Sequence, residues 1–205
     1  MLQRSHEWVV GELALAIAGC GGGEVESEAV PTRADESSSE ATTDDALEAL
    51  ADNSANRHPI VAMNAHLPRG DALDWKRMRT LGVSAARFDF NWYSIQPTRT
   101  TWNWERFDPV VASARSSNIR MFATLGYTPG WANANRGIAY QATDTNDWKN
   151  AVRTIVTRYR NDVECWGIWN EPDFSAFWKG TRDEYFTRIL RPALRTIREV
   201  GTQYG

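Results

Sequence analysis

From about residue 58 onward, short apolar runs alternate with stretches whose apolar residues recur at helical spacing, and this alternation repeats four times. Residues 60–64 form the first strand-like run. A helix follows, capped by Asp71 and closed by Gly82, with Leu73, Met78 and Leu81 as its inward positions. Residues 84–90 form a second strand, with a helix near 106–117, and residues 119–125 form a third. A long loop with Pro129, Gly130 and Gly137 leads to a helix opened by Asp144 or Thr145. Trp148, Val152, Ile155, Val156 and Tyr159 mark the core-facing stripe of that helix. Residues 163–169 form the fourth strand. Thr181 and Glu184 have the spacing of a capping box, and the helix they open runs toward Val200 with a kink or restart expected at Pro192.

Repeated βα units predict an α/β fold with a parallel sheet. Two architectures fit, a doubly wound sheet and a closed barrel, and the strand ends separate them. A nucleotide-binding sheet would carry a Gly-rich turn after its first strand, whereas this one is followed by Ala65-His66-Leu67-Pro68. Each strand instead ends in polar and aromatic residues, where barrel enzymes build their sites. These are Asn64 and His66, then Arg87, Asp89, Asn91 and Trp92, then Tyr127 and Trp131, then Asn170 and Glu171. The expectation is a (β/α)8 TIM barrel truncated to about its first four β/α units.

Ahead of this domain the pattern changes. Residues 13–20 are a short apolar run that ends in small residues and Cys20. The run is too short to span a bilayer and is similar to a bacterial lipoprotein signal in which Cys20 would be lipidated. Glu7 and Glu12 depart from that pattern. Residues 21–57 are rich in Gly, Ser, Thr, Asp and Glu and nearly free of large apolar side chains, which predicts a disordered acidic linker. The domain boundaries are therefore 1–20, 21–57 and 58–205, and the expected location is secreted or in the cell envelope.

Net charge is −3, with no cluster of Lys and Arg, so nothing calls for a nucleic-acid partner. A membrane would be met only through the lipid anchor. Two cysteines, Cys20 and Cys165, lie far apart and suggest no disulfide framework, and Cys165 reads as a small buried strand residue. Ten tryptophans are unusual for 205 residues and can fill a core, stack on a ligand, or do both.

The segment Trp166-Gly167-Ile168-Trp169-Asn170-Glu171-Pro172 is an apolar strand that stops at Asn-Glu-Pro, because Pro172 cannot extend the ladder. Here the chain resembles the clan A glycoside hydrolases, retaining barrel enzymes whose fourth strand ends in Asn-Glu-Pro. Three further blocks carry the resemblance. They are Leu81 to Trp92 with Ile95-Gln96-Pro97, then Trp104-Glu105-Arg106-Phe107-Asp108, then Leu125 to Ala132. The likeness is greatest to family 39 and cellulase-like members. Gln96 departs from the Glu common before that Pro.

The resemblance implies hydrolysis of O-glycosidic bonds in oligo- or polysaccharides by two carboxylates about 5–5.5 Å apart, with no metal or organic cofactor. Glu171 would be the acid/base, keeping its proton through partial burial or a nearby negative nucleophile. Asn170 would bind the sugar 2-hydroxyl and Arg87 would orient the nucleophile. His66, Trp92, Tyr127 and Trp131 would line the sugar subsite. Each has a plainer alternative. Arg87 can pair with Asp89, His66 can cap its strand, and Trp92 and Trp131 can pack beneath the loops. The nucleophile is expected on a seventh strand, beyond Gly205; Asp89 and Asp173 do not match its position. Because a whole barrel needs about 250 residues, a four-unit piece is expected to be inactive alone and to associate through open edges. The competing function is a lipid-anchored carbohydrate-binding protein without catalysis.

Overall fold

Four parallel-sheet strands are the frame on which the described part of the protein hangs. The computed structural model describes residues 17–18, 61–66 and 72–204. The chain divides into two units, 1–20 with 61–205 and 21–60, and every described residue belongs to the first. Cys20, the linker and the Asp71 cap lie outside the described residues.

In chain order the elements are β1 (Ile17–Ala18), β2 (Ala62–Asn64), α1 (Ala72–Thr80), β3 (Ala85–Asn91), α2 (Trp92–Ile95), α3 (Phe107–Ser116), β4 (Arg120–Gly126), α4 (Thr145–Tyr159), β5 (Val163–Ile168) and α5 (Arg182–Glu184). A π-helical segment, Tyr185–Leu190, joins α5 to α6 (Arg191–Tyr204). The sheet order is β1-β5-β4-β3-β2. β2, β3, β4 and β5 are mutually parallel, and β1 pairs antiparallel with Trp166 and Gly167 on the far edge. Successive parallel neighbours joined through helices are the first turns of a β/α barrel wall.

Strand alternation sets which residues face where. On β3, Phe88 and Phe90 are buried toward the helices, while Arg87, Asp89 and Asn91 take the other face. Phe90 packs against Phe107 of α3, Tyr159 of α4 and Trp166 of β5, with ring centroids 5.2, 5.2 and 6.0 Å away. The expected stripe of α4 is buried throughout, and Asp144 caps that helix by accepting from the Asn146 amide at 2.8 Å.

Three expectations change. Leu81 is not an inward position; it lies past the end of α1 and is 75% exposed, and Trp75 and Met78 bury that helix instead. Gly82, at φ +84°, makes the left-handed turn that ends it. The restart expected at Pro192 falls one residue earlier, where α6 begins at Arg191. Pro192 has no amide hydrogen to give, and the irregularity falls in the π-helical turn just before it, after which α6 continues as an α-helix. Cys165 is buried and disulfide-bonded, not a plain buried thiol; its partner lies outside the described residues.

Candidate active site

The site is built at the C-terminal ends of β3, β4 and β5. Parallel register aligns Arg87 with Phe122 and Asp89 with Thr124, and Thr124 in turn with Gly167. Arg87 therefore looks across β4 toward the residues that follow β5. Its Nε donates to Thr124 Oγ1 at 2.7 Å, and one terminal nitrogen donates to Asn170 Oδ1 at 2.7 Å. The same nitrogen lies 3.3 Å from Asp89 Oδ1. The guanidinium thus spans three strands, and pairing with Asp89 and contact with Asn170 coexist.

Asn170 is held from a second side by the Tyr127 hydroxyl. Burial pushes that phenol above its ordinary value, and the neighbouring charge of Asp89 adds to the rise, with a smaller contribution from Glu171. Tyr127, Asn170, Asp89 and Glu171 therefore share one electrostatic neighbourhood.

Backbone conformation at this end of the sheet is unusual. Tyr127, Trp169 and Glu171 all have left-handed φ, at 64°, 69° and 42°. Non-glycine residues occupy this region only when surrounding contacts hold them there. The contacts are explicit. The Trp169 amide donates to Leu125 O at 2.7 Å, and its indole donates to Phe177 O at 2.9 Å. The Tyr127 carbonyl accepts from the Tyr93 amide at 3.1 Å. One step back, the buried Tyr185 hydroxyl donates to the Ile168 carbonyl at 2.9 Å. The loop beyond is closed by Gly180, where a Cβ would come within 2.6 Å of the Trp178 ring, so no side chain fits.

Glu171 is exposed, and its carbonyl accepts from the Phe174 amide at 3.0 Å. Partial burial, one of the two means by which its proton was expected to be retained, is therefore not what surrounds it. His66 is exposed just past β2, where Asn64 Nδ2 is 3.3 Å from its Nε2. Trp92 does not line the groove as expected. Trp92 is 0% exposed, donates to Gln96 Oε1 at 2.8 Å and packs on Trp131 and Trp148. Trp131 is half-buried, donates to Gln96 O at 2.8 Å and carries the Arg99 guanidinium 4.7 Å from its ring centre. Trp92 is packing beneath the loops, since a fully buried ring cannot stack on a sugar, while Trp131 stays partly exposed with Arg99 against its ring. The Gln96 departure suits this place, because its Oε1 accepts from the Trp92 indole while its Nε2 donates to Arg99 O at 3.0 Å, a bond a carboxylate cannot give.

Two residues that matter were not singled out from the sequence. Thr124 holds Arg87, and strand alternation already placed a polar residue there. Tyr185 anchors the end of β5, and its signal was only that of one more apolar position on a helix. Among the described residues no cluster of His, Cys, Asp and Glu is arranged to hold a metal.

Comparison with known proteins fits this geometry. An endo-1,4-β-xylanase A of Halalkalibacterium halodurans is 32% identical, covering 38% of this chain and 24% of that protein. A β-xylosidase of Geobacillus stearothermophilus is 24% identical over 48% of this chain and 22% of its own. The chain thus spans about a quarter of the length of these relatives. Among solved structures, a family 39 glycoside hydrolase from the gut symbiont Bacteroides cellulosilyticus WH2 superposes with TM-score 0.55 at 21% identity, covering 68% of this chain and 29% of that one. At that identity the likeness speaks for the fold, a partial (β/α) barrel, and not for family 39. The family model that matches describes glycosyl hydrolase family 10 and spans residues 78–193, more than half of the chain, including every strand-end residue from Arg87 to Glu171. The chain belongs to glycosyl hydrolase family 10.

Proposed function

We propose that this chain carries the acid/base half of a retaining glycosidase site for β-linked xylose polymers. The observation that carries the reading is the placement of Asn170 and Glu171 at the end of β5, with Asn170 held by Arg87 and Tyr127. The substrate class follows from the xylanase and the xylosidase it resembles.

In this reading the Glu171 carboxylic acid gives its proton to the departing glycosidic oxygen as a second carboxylate attacks the anomeric carbon. Glu171, now a carboxylate, then takes a proton from the water that releases the sugar. The second carboxylate comes from a later strand of the barrel. Arg87 occupies Asn170 Oδ1 and Tyr127 adds a second hydrogen bond, and the remaining capacity of the amide would meet the sugar 2-hydroxyl. Such a bond strengthens as positive charge develops on the ring.

The test is binding and hydrolysis of xylo-oligosaccharides and an aryl β-xyloside by wild type and Glu171→Gln, each carried in a protein that also supplies the second carboxylate. We expect the variant to bind as well as wild type and to lose about 10²–10⁴-fold in turnover. Equal turnover would sink the reading. Binding with no turnover in either protein would instead assign the chain to carbohydrate binding without catalysis.

We also propose export, with Cys20 as the lipid attachment point. The apolar run before Cys20 supports both parts of this reading, whereas the disulfide at Cys165 supports export alone, since it suits an oxidising compartment. Lipidation and an intrachain disulfide would compete for the Cys20 sulfur, because the chain has two cysteines. Intact mass of the native protein decides, showing either added acyl groups or a loss of two hydrogen atoms. Among the described residues no helix is long and apolar enough to cross a membrane.

A further inference from the structure

The loop after β5 carries an exposed aromatic ring close in sequence to the candidate acid/base. Phe174 is 55% exposed and lies three residues beyond Glu171. A single exposed apolar side chain is ordinary on a protein surface. Two features set this one apart. Its backbone is pinned on both sides: the Phe174 amide donates to Glu171 O at 3.0 Å, and its carbonyl accepts from the Phe177 and Trp178 amides at 2.9 and 3.1 Å. Its ring is also the outer end of an aromatic series that begins inside the site. Buried Trp169 meets Tyr127 with ring centroids 5.3 Å apart, Tyr127 meets Phe177 at 6.5 Å, and Phe177 meets Phe174 at 5.8 Å. The last two rings meet edge to face at 63°, which leaves Phe174 at least one face that Phe177 does not cover.

Tyr127 is the residue that bonds Asn170, so the series runs from the amide of the site to open surface. In the glycosidase reading Asn170 takes the 2-hydroxyl of the sugar whose bond breaks, and Glu171 meets the bridging oxygen. The sugar on the other side of that oxygen is the leaving group. Phe174 is tied to the Glu171 carbonyl and stands two rings away from Asn170, which is the departing side. A ring already fixed in place loses little freedom when it stacks on a ligand. Exposed Asp173 and Ser175 flank it with polar groups that suit hydroxyls.

We infer, on the glycosidase reading of Glu171, that Phe174 backed by Phe177 is the platform for the leaving-group sugar and selects substrates that carry a pyranose ring there. Its open ring stacks on the apolar face of that pyranose. Binding energy gained at this distance from the reacting bond holds the bridging oxygen against Glu171.

The test compares xylotriose with β-xylosyl fluoride, whose leaving group has no ring, in a protein that carries this chain and also supplies the second carboxylate. Phe174→Ala should lower kcat/KM for xylotriose about tenfold and leave the fluoride within about twofold, which also reports that the variant is folded. Phe174→Tyr keeps the ring and should restore most of the loss. The inference is overturned if Phe174→Ala lowers both substrates alike, as it would were a later loop of the barrel packed on the ring, or if it changes neither. Failure of the glycosidase reading looks different: wild type then leaves the fluoride intact, and the platform falls with it. Fluoride turned over by wild type keeps that reading whatever Phe174→Ala does.

Discussion

Asn170 owes its orientation to Arg87, and the two should fail together. Arg87→Ala leaves Asn170 Oδ1 and Thr124 Oγ1 without their shared donor and the Asp89 carboxylate without its ion-pair partner. Arg87→Lys keeps the charge but cannot reach Thr124 and Asn170 in one fork. In a protein that also supplies the second carboxylate, both variants should lower kcat for an aryl xyloside about 10-fold or more, with Lys no real rescue, as steady-state kinetics would show. Trp92 belongs to stability instead. Fully buried and bonded to Gln96, it should cost about 3–5 kcal/mol when replaced by Ala, measured by urea unfolding. These two cases show how far side chains could be read in advance. Arg87, Asn170 and Glu171 stood out because strand ends with polar residues have little packing motive. Trp92 misled because an indole at a strand end looks the same in one dimension whether it faces a ligand or a loop. Only its full burial and its bond to Gln96 distinguish the two.

The helix after β5 shows the same division. Thr181 and Glu184 form the capping box that their spacing announced: the Thr181 side chain accepts from the Glu184 amide, and the Glu184 carboxylate accepts from the Thr181 amide at 2.7 Å. The Thr181 amide, more than the further bonds from the Thr181 hydroxyl and Gln141, holds the Glu184 carboxyl below its ordinary 4.5. Asp108 likewise lies below its ordinary 3.8, chiefly through the hydrogen bonds from Arg158. A carboxylate favoured by the fold stabilises it fully above its ordinary value and loses that contribution as pH falls through the lowered one. Thermal unfolding followed from pH 7 downward should therefore show Tm falling below about pH 4.5, and Glu184→Gln should blunt the fall. Thr181→Ala should cost about 1 kcal/mol by removing the cap. The π-helical turn that follows was not foreseeable. It depends on where Tyr185, Trp148 and Pro192 meet other elements, as in the Trp148 indole donating to Ile189 O at 3.0 Å, and local propensity carries no trace of that.

The order and parallel pairing of the strands were readable from alternation alone, since each βα unit repeats one handed connection. Which strand lies at the edge among the described residues was less so. β2 lies at an edge with all three residues exposed, flanked by Val61 and with Met63 within it, 49% and 42% exposed. An apolar edge with free backbone groups invites pairing with another strand. Sedimentation should show the protein associating as concentration rises, and Met63→Lys should suppress it. A last consequence concerns Glu171, whose backbone sits at a φ of 42°. Glycine would rest there at less cost than any other residue, so a search for heat-resistant variants would be drawn to Glu171→Gly. Such a search would harvest sturdier molecules by discarding the one side chain that can hand over a proton, and robustness and chemistry would part company at a single codon.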